Sequence, residues 1–145
     1  MSDVLTLSQI KMPGTARSKD DAIREAGEML VEAGAVTPEY IDSMYERERS
    51  VSTYMGNYLA IPHGTNESKE SIKRSALSVI RYPEPIDWDG NEVLFALGIA
   101  GYQGGHMDIL SRIAIVFSDT DEVDKLLAAG SAEEIYDLLN AVNEE

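Results

Sequence analysis

The 145-residue sequence contains no cysteine. Disulfide bonds, thiolate metal sites and cysteine nucleophiles are therefore all excluded. Long apolar runs are also missing, because no stretch approaches the roughly 20 residues that a helix needs to cross a bilayer. The opening residues, MSDVLTLSQI, lack the basic patch and continuous apolar run of a secretory signal. We expect a cytoplasmic protein in which any membrane role goes through a partner.

Positive charge is scarce. Twelve Lys and Arg residues stand against 26 Asp and Glu residues, which gives a formal net charge of −14. Such a surface repels a polyanionic duplex, so nucleic acid is not an expected ligand. It would attract a basic protein partner, although the same charge could simply keep the protein soluble.

The length suits one domain with a single sizeable core, and we expect it to span residues 1–145. No internal repeat, low-complexity tract or linker interrupts the chain. Helix signals come first, strand signals follow and helix signals return. This order favours an α/β fold in which a mixed β-sheet is flanked by helices, rather than a strict βαβ repeat.

Two helices are predicted in the first third of the chain. Ser18 is placed to cap the first, and Gly34 can end it. Thr37 and Pro38 are typical of an N-cap and a first helical position, and this second helix should reach about Arg49. The apolar positions with helical spacing are Ala22, Ile23, Ala26, Leu30 and Ala33 in the first helix and Tyr40, Ile41, Met44 and Tyr45 in the second.

Strands are predicted at Tyr58–Ile61 and Ser75–Tyr82. Asp89-Gly90 is a tight-turn signal, so Ile86–Trp88 and Val93–Ala100 should form a hairpin.

Three helices should follow. The first comes after Gly104-Gly105, with Met107, Leu110, Ala114 and Phe117 on one face. The other two are expected around Glu122–Ala128 and Ala132–Val142, the last capped by Ser131.

Only two histidines are present, and they are the side chains that titrate near neutral pH unless a carboxylate or a lysine is strongly shifted. His63 follows an apolar strand and Pro62 and precedes Gly64. Proline ends the strand, while glycine lets the backbone come close to whatever occupies the imidazole. Taken alone, the pattern suits either a reactive histidine or an ordinary surface turn.

His106 should lie in the first turn of a helix. Free backbone N–H groups and the positive end of the helix dipole favour a phosphate there and keep the imidazole neutral. A polar residue that merely starts a helix is the alternative.

Other catalytic schemes find little support. The sequence has no Walker phosphate loop, HExxH pair or GxSxG elbow. His106 and Asp108 could in principle bind a metal, which would suit a small hydrolase. We expect neither a metal nor a cofactor.

The segment Ala60-Ile61-Pro62-His63-Gly64-Thr65 resembles the phosphorylation motif of the fructose/mannitol class of enzyme IIA in the sugar phosphotransferase system. The resemblance covers nearly the whole chain. Further matching segments are Ala22-Ile23-Arg24-Glu25-Ala26-Gly27, Met44-Tyr45-Glu46-Arg47-Glu48, Ser52-Thr53-Tyr54-Met55-Gly56-Asn57, Tyr82-Pro83-Glu84 and Gly98-Ile99-Ala100-Gly101. Thr65 and the Tyr-Met-Gly triplet favour the mannitol branch.

The resemblance implies a phosphotransferase component. The phosphocarrier HPr would phosphorylate Nε2 of His63, and the cysteine of an enzyme IIB domain in a mannitol permease would then accept the group. His106 would donate a hydrogen bond to the phosphoryl group, and Arg47 would stabilise its charge. The alternatives are a regulatory IIA-like module and an enzyme IIA for fructose or another hexitol.

Two positions depart from the family pattern. Some members carry Glu where this chain has Asn57, and many have an acidic residue where it has Gly105. The expected phosphoryl-handling groups remain, but these two positions lack the acidic side chains that could tune the imidazoles.

Overall fold

A computed structural model describes residues 4–64, 70–102 and 106–140. A short 3-10 helix, Leu7–Gln9, precedes the first strand. Within this part of the chain the strands are β1 (Ile10–Lys11), β2 (Tyr54–Gly56), β3 (Leu59–Ala60), β4 (Ala76–Trp88) and β5 (Asn91–Ala100). The helices are α1 (Lys19–Glu32), α2 (Glu39–Ser50), α3 (His106–Ser118), α4 (Thr120–Ala128) and α5 (Ala132–Leu139).

The five strands form one mixed sheet in the order β1-β4-β5-β3-β2. The β4–β5 hairpin is its antiparallel centre. β1 joins β4 in parallel, and β3 joins β5 in parallel. β2 closes the other edge by pairing antiparallel with β3. The predicted α/β class with a mixed sheet flanked by helices is confirmed.

Helices cover both faces of the sheet because the central strands alternate their side chains between two cores. Ile80 and Ala96 belong to the core under α1 and α2. Val79 and Leu97 belong to the core under α3, α4 and α5. Among the described residues, no helix combines the length and the apolar character needed to cross a membrane.

The first helices follow their sequence signals closely. The Ser18 hydroxyl accepts a hydrogen bond from Asp21 N at 3.2 Å, as a helix cap should. Gly34 follows α1 with a φ of +75°. The second helix is assigned from Glu39, one residue later than predicted, although Pro38 before it already has helical dihedral angles.

The centre of the sheet corrects the predicted strands. The segments expected at Ser75–Tyr82 and Ile86–Trp88 are one strand, β4, whose register shifts between Arg81 and Ile86. Pro83 and Pro85 lie inside this irregular stretch, where a missing N–H breaks no regular pairing. The hairpin is confirmed, with positive φ angles at Asp89 and Gly90.

The strand bounds and the buried face of α3 also differ from those predicted from the sequence. β3 is shorter than the predicted Tyr58–Ile61, and the short strands β1 and β2 were not predicted at all. α3 buries Phe117 as predicted, but its other buried residues are Ile109 and Ile113, and Met107, expected on the same face, is 59% exposed. The C-terminal helix keeps its Ser131 cap and ends at Leu139, and residues 141–142 of its predicted span lie outside the described residues.

Candidate functional site

His63 lies where the short strand β3 has just ended. Leu59 and Ala60 pair in parallel with Phe95 and Ala96 of β5. The same register continues to a bridge between His63 and Ile99. Ile99 N donates to Pro62 O at 3.1 Å, so the backbone on the N-terminal side of His63 is held against the sheet. His63 therefore lies just beyond the end of a strand, as predicted.

The imidazole of His63 is half-buried, and its Nδ1 lies 2.8 Å from Ile61 O. A carbonyl oxygen can only accept a hydrogen bond, so Nδ1 must carry the hydrogen. In the neutral ring the lone pair is then on Nε2. The local backbone therefore selects the tautomer in which Nε2 is the nucleophilic nitrogen.

Tyr40 contacts the backbone just after this histidine and the strand β5 opposite it. Its hydroxyl donates to Ile99 O at 2.6 Å and accepts from Gly64 N at 2.8 Å. Burial raises the pKa of Tyr40 to about 12, so the hydroxyl keeps its proton at neutral pH. Sequence reasoning placed Tyr40 only in the buried stripe of α2, although a buried tyrosine hydroxyl usually needs a polar partner.

Glu48, near the end of α2, forms hydrogen bonds with the segment before His63. Its buried carboxylate accepts from Thr53 N at 3.0 Å, from the Thr53 hydroxyl and from Trp88 Nε1 at 3.1 Å, and Lys19 Nζ lies 3.5 Å away. Thr53 O in turn accepts from Ile61 N at 3.1 Å. This chain of contacts was not predicted, because it joins residues that no short motif places together.

Arg47 lies in the last turn of α2 and is half-buried. Its Nη1 donates to Val51 O at 2.7 Å. A guanidinium has five N–H donors, so this bond leaves donors for another acceptor. Through its bond to Val51, Arg47 contacts the start of the segment that runs from α2 through Thr53 to the strands before His63.

His106 is the first residue of α3, as predicted, but its side chain lies outside the described residues, as does Gly105. β5, which brings Ile99 beside His63, ends at Ala100 shortly before this helix. Among the residues that are described, no group of three or more His, Cys, Asp or Glu side chains could hold a metal ion.

Asn57, the first departure from the family pattern, has a structural contact. It lies in the turn between β2 and β3 with a φ of +51°. Its Nδ2 donates to Phe117 O, near the end of α3, at 2.6 Å. A glutamate at this position could not donate that hydrogen bond.

The fold and the fixed tautomer of His63 define a protein suited to nucleophilic chemistry at one imidazole nitrogen. Comparison with known families identifies the family directly. Residues 3–142 of this chain match the family described as phosphoenolpyruvate-dependent sugar phosphotransferase system, EIIA 2. The chain belongs to this family of phosphotransferase components.

Named relatives are similar over almost their full length. The mannitol-specific phosphotransferase enzyme IIA component of Halalkalibacterium halodurans is 52% identical, with 97% of each chain covered. The protein of the same name from Geobacillus stearothermophilus is 45% identical, again with 97% of each chain covered.

Solved structures agree with this relationship. The enzyme IIA of mannitol from Escherichia coli, solved in complex with phosphorylated enzyme IIB, has a TM-score of 0.88 at 30% identity, covering 94% of this chain and 97% of that one. The nitrogen regulatory protein IIA-Ntr from Neisseria meningitidis has a TM-score of 0.81 at 29% identity, with 94% and 96% covered.

Proposed function

We propose that this chain is a phosphocarrier that accepts a phosphoryl group from phospho-HPr on Nε2 of His63 and passes it to the cysteine of an enzyme IIB domain. The observation that carries the proposal is the hydrogen bond from His63 Nδ1 to Ile61 O, which leaves the lone pair on Nε2. Membership of the enzyme IIA family supports the same reaction.

The transfer consists of one bond made and one bond broken. The Nε2 lone pair attacks the phosphorus held by HPr, the bond to HPr breaks, and the leaving electron pair stays with HPr. The phosphorylated ring then has a hydrogen on Nδ1, and Ile61 O accepts it. In the second step the thiolate of enzyme IIB attacks the same phosphorus, and the electron pair of the broken P–N bond returns to Nε2.

We propose that Arg47 and His106 compensate the negative charge of the transferred phosphoryl group. A phosphoryl group carries about two negative charges, which need compensation in a half-buried site. Arg47 supplies a permanent cation with a planar set of donors. His106 begins α3, and a helix N-terminus favours an anion, so its imidazole is suited to donate a hydrogen bond while neutral.

The relatives support the proposed sugar and partners. Proteins named mannitol-specific enzyme IIA are 45–52% identical to this chain, and the E. coli protein was solved with phosphorylated enzyme IIB. We therefore propose mannitol uptake through an enzyme IIB domain of a mannitol permease, with residues 1–145 acting as one cytoplasmic domain. The net charge of −14 suits a basic docking face on HPr.

A regulatory module is the second candidate, favoured by the likeness to IIA-Ntr. In that case the phosphorylated and unphosphorylated forms would bind different targets without supplying a transporter. Transfer from the phosphorylated chain to the enzyme IIB domain of a mannitol permease separates the two functions, since a purely regulatory module would not make it.

The proposal is tested by incubating the protein with phosphoenolpyruvate, enzyme I and HPr and measuring its intact mass. One phosphoryl group should be added, labile in acid and stable in base, as expected for a phosphoramidate. His63→Ala should not be phosphorylated. His106→Gln, which removes the other histidine, should still take up one group. Stoichiometric phosphorylation of His63→Ala would contradict the proposal.

A further inference from the structure

The parallel pairing between β5 and the chain at His63 lacks one of its regular backbone hydrogen bonds, and a side chain takes its place. In a regular parallel ladder, the residue opposite His63 donates its N–H to the carbonyl of residue 62 and accepts at its carbonyl from the N–H of residue 64. The first bond is present, from Ile99 N to Pro62 O. At the place of the second, the Tyr40 hydroxyl bridges Gly64 N and Ile99 O.

The direction of both bonds in this bridge is fixed. Ile99 O can only accept, so the one hydrogen of the Tyr40 hydroxyl is donated to it. Gly64 N–H must then donate to the hydroxyl oxygen. Tyr40 is only 2% exposed, so water has little access to its hydroxyl. Gly64 N–H, the Tyr40 hydroxyl and Ile99 O therefore satisfy one another's hydrogen bonds within the protein.

This bridge keeps the backbone after His63 apart from β5. A direct N–H···O bond would bring Gly64 N to about 2.9 Å from Ile99 O. With the hydroxyl inserted, each of these two atoms has its own bond to the oxygen between them, at 2.8 Å and 2.6 Å. The chain is thus held against the sheet before His63 and held at a distance from it afterwards.

We propose that Tyr40 is a positioning residue for phosphoryl transfer, whose hydroxyl sets the path of the His63–Gly64 backbone and thereby the direction of the His63 ring. The inference rests on the proposed function, in which His63 accepts the phosphoryl group. Tyr40 itself does not touch the reacting atoms in this scheme. It acts through the His63–Gly64 peptide group and through the carbonyl group of Ile99 on the neighbouring strand.

Removing the hydroxyl should disturb this arrangement in one of two ways. Gly64 N and Ile99 O could pair directly, which would draw Gly64 toward β5. Otherwise both would remain buried without their partner, which would loosen the segment. Either change moves the imidazole relative to the phosphorus of a docked partner, and transfer depends steeply on that geometry.

The experiment compares Tyr40→Phe with Tyr45→Phe in the full chain. Tyr45 lies on the same helix, and its hydroxyl donates to Asp20 O at 2.9 Å, at a more exposed site. Tyr40→Phe should still take up one phosphoryl group, with kcat for transfer from phospho-HPr reduced about 10- to 100-fold. KM should change little, because the hydroxyl is buried. Tyr45→Phe should match the parent in both constants.

Other outcomes distinguish the possible failures. Parental kcat in Tyr40→Phe, with His63→Ala inactive, would overturn the positioning role while leaving the proposed function intact. Phosphorylation of His63→Ala would instead overturn the proposed function. An increase in KM without a fall in kcat would also contradict the positioning role.

A measurement on the parent protein keeps the test decisive if Tyr40→Phe fails to fold. The Tyr40 hydroxyl proton should give a slowly exchanging NMR signal with a cross-peak to the Gly64 amide proton. The signal should persist after phosphorylation. Rapid exchange of this proton with solvent would overturn the positioning role of Tyr40.

Discussion

Backbone carbonyl groups determine the protonation of two side chains at the candidate site. Ile61 O takes the hydrogen of His63 Nδ1, and Ile99 O takes the hydrogen of the Tyr40 hydroxyl. Because a carbonyl cannot donate, each contact fixes where the proton lies and which lone pair remains. For His63 the remaining lone pair is on Nε2, and for Tyr40 it accepts the Gly64 N–H.

Arg47→Lys tests whether the planar set of donors matters beyond the positive charge. Lysine keeps the charge but cannot donate in the same two-pronged geometry, so we expect a loss of about 1–3 kcal/mol of transition-state stabilisation. Arg49→Lys, an exposed position on the same helix, should transfer at the parental rate. Stopped-flow experiments measure the rate of phosphoryl transfer from each variant to enzyme IIB. Parental rates in both variants would contradict a role for the planar donors of Arg47.

The sequence contained enough information to locate His63 but not to find Tyr40 or Glu48. The motif around His63 is local, and a strand followed by proline and glycine predicts its backbone directly. The Tyr40 bond to Ile99, by contrast, joins residues 59 positions apart. Such a contact depends on how α2 packs across the sheet, which no local pattern specifies.

At the level of whole elements, the β2–β3 turn and the end of α3 are linked by Asn57. Its side chain donates to Phe117 O, and its positive φ suits asparagine better than most residues. The contact connects the strand that leads to His63 with the helix that begins at His106. Asparagine at this position therefore has a structural reason that an acidic residue could not satisfy.

Asn57→Asp should destabilise the protein by about 1–3 kcal/mol, because it removes the donor and places a negative charge near helix carbonyl groups. Asn57→Gly is the matched control, since it tolerates the positive φ and lacks both the donor and the charge. We expect Asn57→Gly to be intermediate in urea unfolding. Parental stability in Asn57→Asp would show that the bond to Phe117 contributes nothing.

The elements that sequence reasoning predicted best were long and periodic. α1 and the β4–β5 hairpin follow their capping and turn signals, whereas β1, with two residues, has no periodic signal of its own. The buried face of α3 was ambiguous because apolar residues surround much of the helix. Ile109 and Ile113 share helical spacing with Phe117 as well as the predicted Leu110 and Ala114 do, and packing against the sheet selects the first pair.

Across the whole molecule, Glu25 joins three separate parts of the chain. From α1 its carboxylate accepts from Thr15 N at 3.0 Å and from the Tyr82 hydroxyl at 2.9 Å, and it pairs with Lys11 Nζ at 2.8 Å. Glu25 is only 8% exposed. It therefore links the segment before α1, the edge strand β1 and the central strand β4 through one buried charge.

This carboxylate should make the stability of the protein depend on acid pH. Burial alone would raise the pKa of Glu25, but the bonds from Lys11, Thr15 and Tyr82 outweigh it and lower the pKa from 4.5 to about 2. A group whose pKa is lower in the folded state stabilises that state above its unfolded pKa and loses this contribution as pH falls toward the folded value. Because solvent screens the charge of the partly exposed Lys11, the expected contribution at neutral pH is roughly 1–3 kcal/mol, and it should disappear between pH 4.5 and about pH 2.

Glu25→Gln should accordingly be less stable than the parent at pH 7, and the difference should shrink as pH falls below 4.5. The amide carries no charge for Lys11, and it turns an N–H₂ group toward the donors that the carboxylate accepts from. Glu32→Gln, at an exposed position near the end of the same helix, should follow the pH dependence of the parent. Urea unfolding from pH 7 to pH 3 measures all three proteins. A difference between Glu25→Gln and the parent that stays constant over this range would mean that Glu25 titrates alike in the folded and unfolded states, and that its contacts stabilise the fold without the charge.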